Sequence, residues 1–237
     1  MQQLQTPINV HKQRVVQTIA KQVLEQIGPT LNSNDTELSI AARAVQMMKA
    51  QGINETWYYN CPAFVLLGER SRLSQSGRNY EAATQTVGAT NLVTIDLSPM
   101  HGGLWGDCAR SFCIEDDCHT LTPVNVEFIQ GLAAEQTLHE AMKGFVKPST
   151  TFQSLYEFAN QKIKALEFEN LDFANNVGHS IVLNRDDRIY IEAANQKTLG
   201  SVDFFTFEPH VAQSGSNWGF KHEQIYFFNA DGLLEVL

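Results

Sequence analysis

The chain has 237 residues, of which 43% are hydrophobic and 18% charged. Those fractions suit a globular chain with a sizeable core and exclude a wholly disordered one. Lys and Arg number 17 against 26 Asp and Glu, a formal charge of −9, and no long basic run offsets it. General binding to a nucleic-acid backbone, which needs basic patches, is therefore excluded as a function class.

No apolar stretch reaches the ~18–20 residues of a membrane helix. The opening MQQLQTPINVHKQRVV lacks the apolar core of a secretory signal. Cys61, Cys108, Cys113 and Cys118 are too few to staple a chain of this size, and the Cys113–Cys118 spacing is not that of a zinc knuckle. They read as reduced thiols of a cytoplasmic protein.

In chain order, residues 11–28 carry apolar side chains at helical spacing and stop at Gly28-Pro29. Residues 34–37 offer a cap for a second helix over 36–50, with Leu38, Ala41, Ala42, Val45 and Met48 on one face and Gly52 beyond its end. Both helices read as packing elements. Residues 57–59 and 63–67 are strand material, and 68–90 are polar and irregular. Residues 91–97 and 104–114 form two strands around a Met-His-Gly-Gly turn. Thr122-Pro123 starts a third helix that runs to Gly144, and Thr150 or Thr151 caps a fourth that reaches about Leu166. Strand-like segments follow at 181–192, 204–207 and 224–228. The order helices, strands, helices, strands predicts an α+β fold in two similar halves, within a single domain over 1–237 and with no detectable sequence repeat.

The chemistry lies in acids set inside apolar strands. Asp96 sits in Val-Thr-Ile-Asp-Leu, where a charge needs a partner or a metal. A two-residue loop at His101-Gly102 would set Asp107 directly opposite Asp96, and two opposed carboxylates repel unless protonated or bridged by a cation. His179 follows a glycine, Glu208 ends a very apolar strand, and Glu223 lies in an aromatic one. Four carboxylates and one imidazole balance two divalent cations, as a two-metal hydrolytic site requires.

The segments VTIDLSPMHGGLWGDCARSF (93–112), NNVGHSI (175–181), FTFEPHV (205–211) and KHEQIYFF (221–228) together resemble the pita-bread metallopeptidases: methionine aminopeptidases, Xaa-Pro aminopeptidases, prolidases and the related non-metal creatinases. The resemblance spans most of the chain, from about Asn91 to Phe228, and its prolidase-like branch is the nearer. It implies a curved antiparallel sheet between two pseudo-symmetric α/β halves, and a length matching the catalytic domain alone. It makes Asp96, Asp107, His179, Glu208 and Glu223 the metal ligands, with Asp107 and Glu223 bridging, Asp96 on one ion, and His179 and Glu208 on the other. Creatinases lack this full set, so its retention favours a metal-dependent protein. Glu208 would be the proton shuttle for attack on a scissile amide. The two ions would be Mn, Co, Fe or Zn, and the resemblance also implies a homodimer.

Two further histidines usual in active members of that family are replaced. The upstream one maps to the region 76–80, which offers Asn79 and Tyr80 as hydrogen-bond donors. The one seven residues after the ligand histidine maps to Asp186, which reads either as a partner for a cationic substrate amine or as a solvated turn aspartate. His210 reads as a residue orienting Glu208 or as a core histidine. The expected activity is hydrolysis of a short peptide of Xaa-Pro type. The alternatives are an inactive relative kept as a binding module, or a hydrolase of a non-peptide amide.

Overall fold

The computed structural model describes residues 9–237, so the first half of the segment read for a secretory signal lies outside the described residues. The helices are α1 (Val10–Ile27), α2 (Glu37–Ala50), α3 (Val126–Phe145) and α4 (Phe152–Ala165). The strands of the first half are β1 (Glu55–Thr56), β2 (Ala63–Leu67), β3 (Asn91–Leu97), β4 (Pro99–His101), β5 (Leu104–Trp105), β6 (Cys108–Glu115) and β7 (Cys118–Thr120). Those of the second half are β8 (Phe168–Asn170), β9 (Ser180–Ile181), β10 (Phe204–Phe207), β11 (His210–Gln213), β12 (Phe220–Lys221), β13 (Gln224–Phe228) and β14 (Leu234–Val236).

Each half is a helix pair followed by antiparallel strands. Val16, Ala20, Val23, Leu24 and Ile27 of α1 and Ile40, Ala44 and Met48 of α2 bury against the sheet β2-β3-β6-β7. In the second half, Phe128, Leu138 and Met142 of α3 and Leu155, Ala159 and Ile163 of α4 bury against residues of β10, β11, β12 and β13, which belong to the sheets β14-β13-β10-β9 and β12-β11-β8. The halves join where β6 meets the end of β12: Lys221 N donates to Ser111 Oγ at 2.9 Å and Glu223 N to Ala109 O at 3.0 Å. Those bonds bring the second half's carboxylates to the first half's sheet.

Helix ends follow local chemistry. Asn9 caps α1, and Gly28-Pro29 ends it in a short 3₁₀ turn as expected. Thr36 caps α2 in a reciprocal box with Ser39. The buried face of α2 is Ile40, Ala44 and Met48 with Glu37, whereas Leu38 is 54% exposed, so the predicted face is rotated. The cause is Glu37, fully buried, which pairs with Arg70 and accepts from Leu67 N and Ala83 N. The third helix starts at Val126 rather than Thr122-Pro123, because Asn125 caps it and Glu115 accepts from Val124 N and Asn125 N.

The strand register also departs from expectation. Asp96 pairs with Ala109 and Met100 with Trp105, so the tight loop is Gly102-Gly103, with φ of 57° and 77°. A mirror-image two-residue turn needs positive φ at both central positions, which two glycines supply without cost. Asp107 is therefore diagonal to Asp96 rather than opposite it. A slip of two residues preserves the face, so both carboxylates remain on one side.

Residues 57–59 are not a strand, since Tyr59 and Asn60 turn through positive φ. Residues 181–192 are not one either. β9 ends at Ile181, a 3₁₀ turn covers Arg185–Asp187, and the chain returns with Tyr190 bridged to His179.

Candidate metal centre

Asp107 lies in the break between β5 and β6, where no strand partner satisfies its peptide. Gln17 of α1 does so instead: its Nε2 donates to Asp107 O and its Oε1 accepts from Asp107 N, both at 2.8 Å. Gln13, one turn earlier, donates to Trp105 O. Both glutamines are fully buried, so α1 positions the site as well as packing against it.

His179 precedes β9 and is held from both sides. Its backbone N donates to Thr206 Oγ1 at 3.0 Å, and its Nδ1 lies 3.0 Å from Ser180 O. That carbonyl only accepts, so Nδ1 carries the proton and Nε2 presents a lone pair. Gly178 has φ of 147°, and a Cβ there would lie 2.2 Å from Thr206 O. Gly178→Ala is expected to cost at least ~1–3 kcal/mol in backbone strain and to displace His179. A lowered melting temperature together with lost metal uptake would show it.

The His179 lone pair faces two acids, with Asp107 Oδ2 at 3.4 Å and Glu208 Oε1 at 3.6 Å. Glu223 completes the group, and one ligand atom each from Asp107, His179 and Glu223 fall within 4.8 Å of one another. Asp107 Oδ2 and both carboxylate oxygens of Glu223 are buried without a hydrogen-bond partner among the described residues. Acceptors so placed are costly unless a proton or a cation sits between them. The titration behaviour agrees. Burial pushes the Asp107 carboxyl up to about 6 against the pull of His179. Burial, then Asp107 and Glu208, push Glu223 well above the usual carboxylate range. A divalent ion reverses that strain, so the residues present fit a metal at Asp107, His179 and Glu223.

Asp96 and Glu208 are engaged differently. Lys221 Nζ lies 2.6 Å from Asp96 Oδ2 and 3.0 Å from Glu208 Oε2. Glu208 Oε1 accepts from Thr206 Oγ1 at 3.2 Å. Burial works to raise the Glu208 pKa, but Lys221 and His179 outweigh it and hold the carboxyl below its ordinary value. The sequence reading passed over Lys221. The signal was available: residues two apart in a strand share a face, so the rule that turns His222 away from Glu223 turns Lys221 toward it. His222 does point away, onto the ring of His139 at 4.3 Å between centroids.

A cleft of about 520 Å³ opens over this group, walled by Trp57, Tyr58, Tyr59 and Tyr190. His210 lines it, and its Nε2 lies 2.6 Å from Ser71 O, with burial pushing its pKa down to about 4. That hydrogen bond goes to the backbone and not to Glu208. Asn79 is exposed, and the Tyr80 hydroxyl bonds Val65 N and O, so neither lines the cleft. Asp186 is an exposed turn residue 3.6 Å from Arg185. The returning chain brings Arg188 and Glu192 to the cleft in its place.

Residues 11–229 match the family model of metallopeptidase family M24. The chain belongs to that family. Among solved structures, an X-Pro aminopeptidase from Thermotoga maritima MSB8 matches with a TM-score of 0.78 at 19% identity, over 96% of this chain and 60% of that one. A prolidase from Pyrococcus furiosus matches at 0.79 and 18%, over 98% and 65%. A methionine aminopeptidase from Rickettsia prowazekii matches at 0.75 and 14%, over 98% of both chains. This M24 member thus spans less than two thirds of the length of the first two. A search of curated proteins finds no match. The α+β pita-bread fold expected from the sequence is the fold found. No helix among the described residues is long and apolar enough to cross a membrane.

Proposed function

We propose that this M24 member is a metal-dependent peptidase acting on short peptides, with Xaa-Pro dipeptides as its substrate class. The observation that carries the reading is the set of buried, unpartnered oxygens of Asp107 and Glu223 facing His179 Nε2 beneath the cleft. The Xaa-Pro class rests on the prolidase-like sequence segments and on the X-Pro aminopeptidase and prolidase among its structural neighbours. A cytoplasmic setting is in keeping with its four free thiols.

Asp107, His179 and Glu223 would hold the ion. When bound, a divalent ion such as Mn, Co, Fe or Zn supplies Lewis-acid activation of water and of the scissile carbonyl. Glu208, kept ionised by Lys221, takes the proton released by the attacking water and returns it to the leaving nitrogen. Trp57, stacked on Trp105 at 4.6 Å, and Tyr190 form an apolar wall that limits water at the reacting bond.

Arg188 supports a short substrate with a free carboxylate. Its guanidinium lies 5.0 Å from the Trp57 ring and 5.5 Å from that of Tyr190, at the cleft. Its Nε donates to Arg185 O, and its terminal nitrogens have no hydrogen-bond partner among the described residues. A planar guanidinium suits a carboxylate. The test is a dipeptide panel, with free and amidated C-termini, assayed on Mn(II)-loaded protein. Free Xaa-Pro dipeptides are expected to be cleaved. Arg188→Ala is expected to raise their KM by ~10–100-fold, the worth of a charge-assisted bond, while leaving amidated substrates unchanged. Absence of turnover across the panel from folded, metal-bound protein would overturn the peptidase reading and favour a binding module.

A further inference from the structure

The four predicted carboxylate ligands divide into two pairs. Asp107 and Glu223 carry the centre's buried oxygens that have no hydrogen-bond partner among the described residues. Asp96 and Glu208 instead grip one ammonium, with Lys221 Nζ bridging Asp96 Oδ2 at 2.6 Å and Glu208 Oε2 at 3.0 Å. We infer that the Lys221 ammonium takes the place of one of the two cations that this ligand set would otherwise hold, so that the centre binds a single divalent ion at Asp107, His179 and Glu223. The inference rests on the metal-centre reading above.

Three physical arguments support it. A metal ion contacts carboxylate oxygens at ~2.0–2.2 Å. An ion bound to the oxygens that Lys221 bridges would crowd the ammonium nitrogen and meet strong like-charge repulsion in a half-buried site. Charge also favours one ion: the ammonium and one divalent cation neutralise three of the four carboxylates, whereas the ammonium and two ions would over-neutralise them. Lys221 is moreover no loose surface lysine. Its backbone N is bonded to Ser111 Oγ, it pairs with His210 across β12 and β11, and its side chain is 21% exposed. Lys supplies a compact point charge with several donors, which lets it stand between two carboxylates as an ion does.

The experiment is metal stoichiometry. Wild-type protein and Lys221→Met are each saturated with Mn(II), desalted and analysed for metal per chain by mass spectrometry. The expected result is one equivalent in the wild type and two in Lys221→Met. Two equivalents in the wild type would overturn the inference and leave the metal centre standing. One equivalent in both proteins would also overturn it, because Lys221 would not be what excludes the second ion. No retained metal in either protein would overturn the metal-centre reading itself. Electron paramagnetic resonance of the Mn(II)-loaded wild type decides the matter even where the variant fails to fold. The spectrum of an isolated Mn(II) supports the inference, and that of an exchange-coupled pair overturns it.

Discussion

Glu208→Gln is expected to lower kcat/KM by ~10²–10⁴, the usual worth of a positioned proton carrier, while leaving the melting transition in place. The amide is nearly isosteric: its one oxygen still accepts from Lys221 Nζ, and its nitrogen, in the place of Oε1, donates to Thr206 Oγ1 where the carboxylate accepted, so the side chain keeps its position. What it loses is basicity. Glu208 is suited to the role because Lys221 and His179 overcome the effect of burial and keep it ionised at neutral pH. It also lies beside the metal group, its Oε1 being 3.6 Å from His179 Nε2. The measurement is turnover of the best dipeptide beside metal content and a thermal melt. A folded, metal-bound variant with turnover within a few-fold of wild type would remove Glu208 from proton transfer. A variant that no longer takes up metal would instead show Glu208 acting as a ligand.

Periodicity made much of this fold legible. The apolar spacing of α1 and the aromatic runs of β10 and β13 each point to one element, and burial bears them out. The acids of the centre were legible because a charge inside an apolar run needs a reason. The hairpin register was missed although the turn chemistry held the answer: Gly102-Gly103 meets the positive-φ requirement at both positions, and His101-Gly102 meets it at one. Gln13 and Gln17 were legible only as polar breaks in the apolar face of α1, and their partners lie some ninety residues away, beyond the reach of any local pattern. Counting seven residues from His179 reached Asp186, but the chain turns outward at Arg185–Asp187 and comes back with Arg188 and Tyr190. Counting cannot follow an excursion of that kind. Tyr80 failed for another reason, since its hydroxyl is spent on the backbone of Val65.

Metal-free wild type is expected to lose stability relative to its Asp107→Asn variant as pH rises from about 4 to about 6, and Mn(II) is expected to reverse their order. The Asp107 carboxyl ionises near 3.8 in the unfolded chain and is pushed up to about 6 in the folded one, chiefly by burial. Between those values the native state holds a proton that the unfolded state has released, so stability falls as pH rises through the window. Asparagine has no such proton to lose. By neutral pH the difference is on the order of 3 kcal/mol, or ~6–12 °C in melting temperature for a domain of this size. His139, His210 and His222 are all held neutral by burial and act in the opposite direction, losing stability as pH falls, but they are common to both proteins and drop out of the difference. The Asp107 charge also raises the cost of ionising Glu223, so its removal relieves Glu223 as well. Saturating metal changes the comparison because it binds the ionised carboxylates. At one hundred times its dissociation constant a ligand stabilises the native state by ~2.7 kcal/mol, and the variant, short of one ligand, gains less. Thermal melts of both proteins at several pH values, with chelator and with Mn(II), separate the two effects. If the variant stays the more stable protein in Mn(II), Asp107 is not part of the centre. If the two melt alike in chelator across the pH range, its carboxyl is not under the strain that its burial implies.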